Sequence, residues 1–193
     1  MPLDTLPTSA KIVELQLSIG VASNTKRRPL DKGLTIGAPM REIWQGAATF
    51  ATMAPSALRA LTAWLAARDG RAGAFLLPLK QGFATHANTV AGTCAAASSG
   101  ASSLAVTLAA NATIRAGTLL SVGAQIVEVL DDATCAPTGT LNIAPRIRAP
   151  LANGTSVVGG DILLPVSLIS DELDTETGAA HGTAGIRFIE AVS

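Results

Sequence analysis

The 193 residues are 48% hydrophobic and only 15% charged, and 14 basic residues balance 14 acidic ones to zero net charge. Nothing in it resembles the clustered Lys and Arg of a nucleic-acid binder, the one basic cluster, Lys26-Arg27-Arg28, being short. So sparse a charge leaves a surface of Ala, Ser, Thr and Gly, cheap to desolvate against a partner, although an Ala-rich composition alone accounts for part of it.

Cys94 and Cys135 make no disulfide framework for a chain of this length; they could pair if neighbouring strands brought them together, and are expected as free thiols. The opening residues, Met1 to Pro7, lack the basic start and apolar run of a signal peptide. No segment reaches the ~20 apolar residues of a membrane span. A soluble protein made in a reducing cytoplasm is expected.

In chain order, the first element is Lys11–Ile19, where Val13, Leu15, Leu17 and Ile19 alternate with Ile12, Glu14, Gln16 and Ser18 as in a strand with one buried face. Lys26-Arg27-Arg28 reads as a solvated loop, closing at a turn from Pro29 to Gly33. Leu34–Gly37 is a short strand. Arg41–Thr52 is a long one, with Trp44, Gly46, Ala48 and Phe50 on one face. Pro55–Arg68 is the one convincing helix: Pro55 suits its first position, Leu58, Leu61 and Leu65 form its buried stripe with Trp64 on the flank, and Gly70 suits its C-cap. Ala74–Leu79 is a strand that Pro78 confines to an edge or an end.

From Thr85 to Gly160 the chain turns to Ala, Gly, Ser and Thr. Short β-like pieces recur there, at Leu104–Leu108, Thr118–Val122, Gln125–Leu130 and Leu141–Ile143, as in a small sandwich or barrel. Pro150–Gly160 is its border. Asp161–Ile169 and Gly185–Val192 are closing strands separated by a polar loop, Ser170–Ala184. The fold expected is mainly β: a barrel or sandwich domain with one flanking helix, built from residues 1–84 and completed by 161–193, with a small β module inserted at 85–160.

The residues point to no catalysis. His86, His181 and Cys94 have neither zinc-ligand spacing nor a reason to meet. Asp171, Glu172, Asp174 and Glu176 lack the order of a calcium loop, and Asp131-Asp132 reads as a turn. No phosphate-binding glycine fingerprint and no Gly-x-Ser-x-Gly elbow is present. No cofactor or metal is expected.

The run Arg28-Pro29-Leu30-Asp31, then Met40 to Phe50 (Met-Arg-Glu-Ile-Trp-Gln-Gly-Ala-Ala-Thr-Phe), is followed by Leu58–Leu65 and Gly70–Pro78. Ile114–Gly123 and Ile143–Gly154 come next in the same order. This ordered set resembles the distal-tail proteins at the tail tip of long-tailed, siphovirus-like bacteriophages, from about Ser23 onward. The resemblance implies a β-barrel belt domain with a flanking helix. It also implies a ring, hexameric in the family, that joins the tail tube to the hub and the receptor-binding apparatus of the virion, with the second module facing outward. Its partners would be copies of itself, the tube protein, and the hub and tip proteins. Strand edges such as Lys11–Ile19 must be paired or guarded, and a head-to-tail contact that closes gives a ring. Arg27, Arg28, Arg41 and Arg71 are the interface candidates; Trp44, Phe50, Leu58, Leu61 and Leu65 are assigned to the subunit's own core. The alternative is a stand-alone β-sandwich module that binds a cell-surface glycan, a role weakened by the absence of Tyr and the scarcity of other aromatics.

Overall fold

A computed structural model describes residues 4–7, 10–22, 25–27, 34–36, 41–67, 73–79, 90–169, 174–177 and 182–191. The chain divides into two compact units, one of residues 1–18, 44–79 and 163–193, the other of residues 19–43 and 80–162. Both are built of strands, and the fold is mainly β with one helix, as the alternation of apolar and polar residues predicts.

The first unit is a curled sheet in the order β1 (Ile12–Ala22), β4 (Arg41–Phe50), β16 (Gly182–Glu190), β14 (Ile162–Leu168) and β5 (Ala74–Leu79), with β16 antiparallel to both β4 and β14. Trp44, Ala48 and Phe50 face inward from β4, and Phe75, Leu77, Val166 and Phe188 join them in the core. Helix α1 (Pro55–Ala66) buries Leu58, Leu61 and Leu65, the stripe read from its spacing. Trp64 on the flank meets the Phe75 ring edge-to-face at 5.4 Å and 80°. The helix stops two residues short of Arg68, with Ala67 as its C-cap; Gly70 lies outside the described residues.

A short segment ahead of β1 accounts for the curl. Thr5 bridges Leu76 in parallel, with Leu6 N–H donating to Leu76 C=O at 3.2 Å and Leu76 N–H to Asp4 C=O at 2.9 Å. This segment seals the outer edge of β5, yet the chain begins β1 at the opposite edge only a few residues later. Across a flat sheet that journey is about 24 Å, which the seven steps from Thr5 to Ile12 could match only if fully extended, at about 23–25 Å. The Ala10 N–H donates to the Pro7 carbonyl at 2.9 Å, so the segment turns on the way and the curled sheet brings its two edges toward each other.

The second unit is a closed antiparallel barrel in the order β10 (Gln125–Val129), β12 (Thr138–Ala144), β7 (Ser103–Leu108), β6 (Ala91–Cys94), β13 (Thr155–Gly159) and β9 (Leu119–Val122). Its interior is filled by alternate residues such as Leu104, Val106 and Leu108 of β7. Closure abolishes every strand edge in the ring. Two two-stranded pieces belong to this unit as well: β2 (Thr25–Arg27) with β3 (Leu34–Ile36), and β8 (Ala112–Ile114) with β11 (Ala133–Cys135).

Ile147, 1% exposed, adds its side chain to the barrel core from a non-strand segment, Pro145–Arg148. Gln125 holds that segment: its Nε2 donates to the Arg146 carbonyl at 2.8 Å, and its Oε1 accepts the Arg148 N–H at 2.9 Å. Glu42 adds its carboxylate, which accepts the Arg146 N–H at 2.8 Å, and its carbonyl, which accepts from Arg148 Nε at 3.2 Å.

Three local expectations are corrected. Lys26 and Arg27 lie on β2, a strand where a loop was expected, because Thr25–Arg27 finds a partner in β3. The Pro150–Gly160 border contains β13, which pairs on both sides and so closes the barrel. The polar loop Ser170–Ala184 contains β15 (Asp174–Thr177), recruited by pairing to the first residues of β16.

Candidate assembly surface

Among the described residues, β1 has a strand neighbour on one side only, β4, and its other edge is unpaired. Its alternation slips by one at Val13–Glu14. Both are exposed, Val13 by 58%, and from there Leu15, Leu17 and Ile19 lie half-buried while Gln16 and Ser18 face out. This corrects the expectation that Val13 shares a buried face with the other three. Such a slip is what an extra residue in a strand produces. After it, Leu15 to Ala22 carries no charged side chain to discourage pairing.

Beside that edge the sheet's outer face holds an open groove of about 350 Å³, lined by Gln16, Leu17, Ser18, Gln45, Gly46, Ala47, Ile169 and Arg187. Local sequence explains the shape. Gly46 lets β1 lie hard against β4, since a Cβ there would overlap the Gln16 carbonyl oxygen and come within 3.0 Å of the Phe188 ring. Ala47 keeps the floor low, and Arg187 stands opposite it across the β4–β16 register. Ile169, 41% exposed, supplies an apolar wall. Gln16 donates to Glu14 at 3.0 Å, and Ser18 Oγ donates to the Gln45 carbonyl at 3.4 Å. Beneath the sheet, the Trp44 N–H donates to the carboxylate of Glu190, which is 5% exposed. The groove thus offers amides, one hydroxyl, one guanidinium and exposed methyls: a set suited to a protein surface or an extended chain.

None of the four expected interface cations is among the residues that line this groove. Arg27 is on β2 and Arg41 opens β4, while Arg28 and Arg71 lie outside the described residues. Arg187 was overlooked; its signal is its place between Ile186 and Phe188, whose inward alternation turns it outward.

Of the groups considered for catalysis, the cysteines and the Asp131-Asp132 pair lie in the barrel unit. Cys94 and Cys135 are free, buried thiols of the barrel core, and burial raises both above the usual thiol range. The Asp132 carboxylate accepts the Ala116 N–H at 2.8 Å and that of Asp131 accepts from Asn142 Nδ2 at 2.9 Å, which makes this pair the anchor of its turn. His86, His181, Asp171 and Glu172 lie outside the described residues, and Asp174 and Glu176 are on β15. Among the described residues no three His, Cys, Asp or Glu side chains are grouped to hold a metal ion, and no helix is long and apolar enough to cross a membrane.

Comparison of the chain with known protein families and with curated proteins finds no match.

Proposed function

We propose that this chain is a structural component of a phage virion, a distal-tail protein that forms a ring between the tail tube and the hub at the tail tip. It is made in the host cytoplasm and carried in the finished tail. The observation that supports this reading best is the edge of β1, which has no strand partner among the described residues, in a sheet whose opposite edge is sealed by the chain's own residues 4–6. An open edge with half-exposed Leu15, Leu17 and Ile19 is a template for another chain, and a repeated contact of that kind can close a ring. The groove beside it, with Arg187 and Ile169, gives the contact side-chain specificity. The resemblance to tail-tip proteins supplies the setting, and the sparse surface charge agrees with a life spent in contact with neighbours.

The test is solution mass by light scattering, with negative-stain imaging of any large species. A closed ring with a central channel is expected. Gln16→Lys with Ser18→Lys, both exposed in the subunit, should dissolve it while leaving the far-ultraviolet circular dichroism unchanged. A chain that stays monomeric even when mixed with tube and hub proteins, and binds a glycan alone, would overturn the proposal.

A further inference from the structure

The chain contains one Asn-Gly pair, Asn153-Gly154, in the turn that leads into β13. Both residues are exposed, Gly154 has φ +84, and a Cβ placed on it would meet nothing within 4 Å. Glycine after asparagine leaves the backbone nitrogen sterically open to the asparagine side chain, and asparagine is among the thermolabile residues.

That nitrogen is not free in the fold. Gly154 N–H donates to the Cys94 carbonyl at 2.9 Å, Thr155 N–H donates to the Ala152 carbonyl at 3.2 Å, and Thr155 Oγ1 donates to the same carbonyl at 2.7 Å. Thr155 also pairs with Cys94 at the end of the β6–β13 ladder, the position where fraying starts.

We infer that Asn153 is a site of spontaneous deamidation, gated by opening of the Gly154–Cys94 hydrogen bond at this end of the barrel. When the bond opens, Gly154 N loses its proton to solvent base and attacks Asn153 Cγ. A C–N bond forms, the bond from Cγ to the side-chain nitrogen breaks, and ammonia leaves. Water then opens the cyclic imide at either carbonyl, giving aspartate or isoaspartate; the net change is one water consumed and one ammonia released, with no redox step. Aspartate places a new negative charge on the turn. Isoaspartate adds a methylene to the main chain immediately before Gly154, and the bonds to Cys94 and Ala152 cannot both survive that shift. The product therefore loosens the entry to β13, a strand the closed ring requires.

The experiment incubates the full chain at mildly alkaline pH in buffer and in urea, and follows each asparagine by peptide mapping with isoaspartate detection. In urea Asn153 should convert fastest of all the asparagines. In buffer its rate should fall on the order of tenfold or more, as local opening becomes limiting. Thr155→Val drops the Oγ1 bond while keeping the strand residue β-branched, and should speed the native rate several-fold. Equal rates in buffer and urea, a Thr155→Val rate unchanged from the parent, or faster conversion of another asparagine in urea would each overturn the inference.

Discussion

Replacing Gln125 by Leu removes one side chain that holds two backbone groups of a neighbouring segment. Gln125 is 8% exposed, so a leucine of similar length stays covered and opens no large cavity. What is lost is the bond to the Arg146 carbonyl at 2.8 Å and the bond from the Arg148 N–H at 2.9 Å. At about 1 kcal/mol net for each, the variant should lose about 2 kcal/mol. For a chain of this size that is a fall in melting temperature of about 4–8 °C. Urea denaturation should show a lower midpoint at unchanged slope, because the surface exposed on unfolding is the same. Amide exchange locates the effect: Ile147 N–H, bonded to the Ala101 carbonyl, and Gly100 N–H, bonded to the Ile147 carbonyl, should exchange faster. A loss below about 0.5 kcal/mol would refute the assignment of Gln125 as the clamp on Ile147. So would a full loss that left those two amides as protected as before.

Two further outcomes follow from other sites. Gly46→Ala should cost about 3 kcal/mol, since its Cβ meets the Gln16 backbone oxygen and β1 must move away from β4; thermal denaturation measures it, and a near-neutral variant would show that β1 is free to shift. Glu128 has its carboxyl pKa raised above the ordinary 4.5 by burial. A raised folded-state value means that the folded chain holds this proton more tightly than the unfolded one. The penalty is therefore absent below the ordinary value, grows as pH rises from there to the folded value, and is fully present above it. Glu128→Gln should accordingly stabilise at neutral pH, and the difference between the two proteins should vanish as pH falls to the ordinary carboxylate range; a pH-independent difference would contradict the cause.

Much of the architecture was readable because it rests on local periodicity. Leu58, Leu61 and Leu65 recur at helical spacing and bury together. Leu104, Val106 and Leu108 alternate and fill the barrel. What escaped was decided by distant partners. Thr155–Gly159 has few apolar residues and a glycine at its end, and is a strand because β6 and β9 flank it. Lys26 and Arg27 look solvated in isolation and gain a strand from Leu34–Ile36. The candidate surface divides in the same way. A strand at Lys11–Ile19 with one buried face was visible in the alternation; its place at the edge of the sheet was not. The slip at Val13–Glu14 and the presence of Arg187 beside the groove were not, because both depend on how β1 and β16 lie against β4. Charge singled out Arg27, Arg28, Arg41 and Arg71, and charge carries no information about register, which is what places Arg187 at the groove.

The barrel begins at β6 and ends at β13, and these two strands are neighbours: Ala91 faces Val158, and Gly159 N–H donates to the Val90 carbonyl at 2.8 Å. Entry and exit are therefore one strand spacing apart, and the six strands of the ring all come from the stretch between them, with Glu42 as an outside tie to the Arg146–Arg148 segment. A module with adjacent ends can be gained, lost or exchanged at a hairpin-sized opening in its host with little closure cost. The same two ends could be joined directly by a short turn and new termini cut elsewhere, so the barrel is a portable cassette, suited to swapping between relatives and to carrying grafted sequences in its exposed turns.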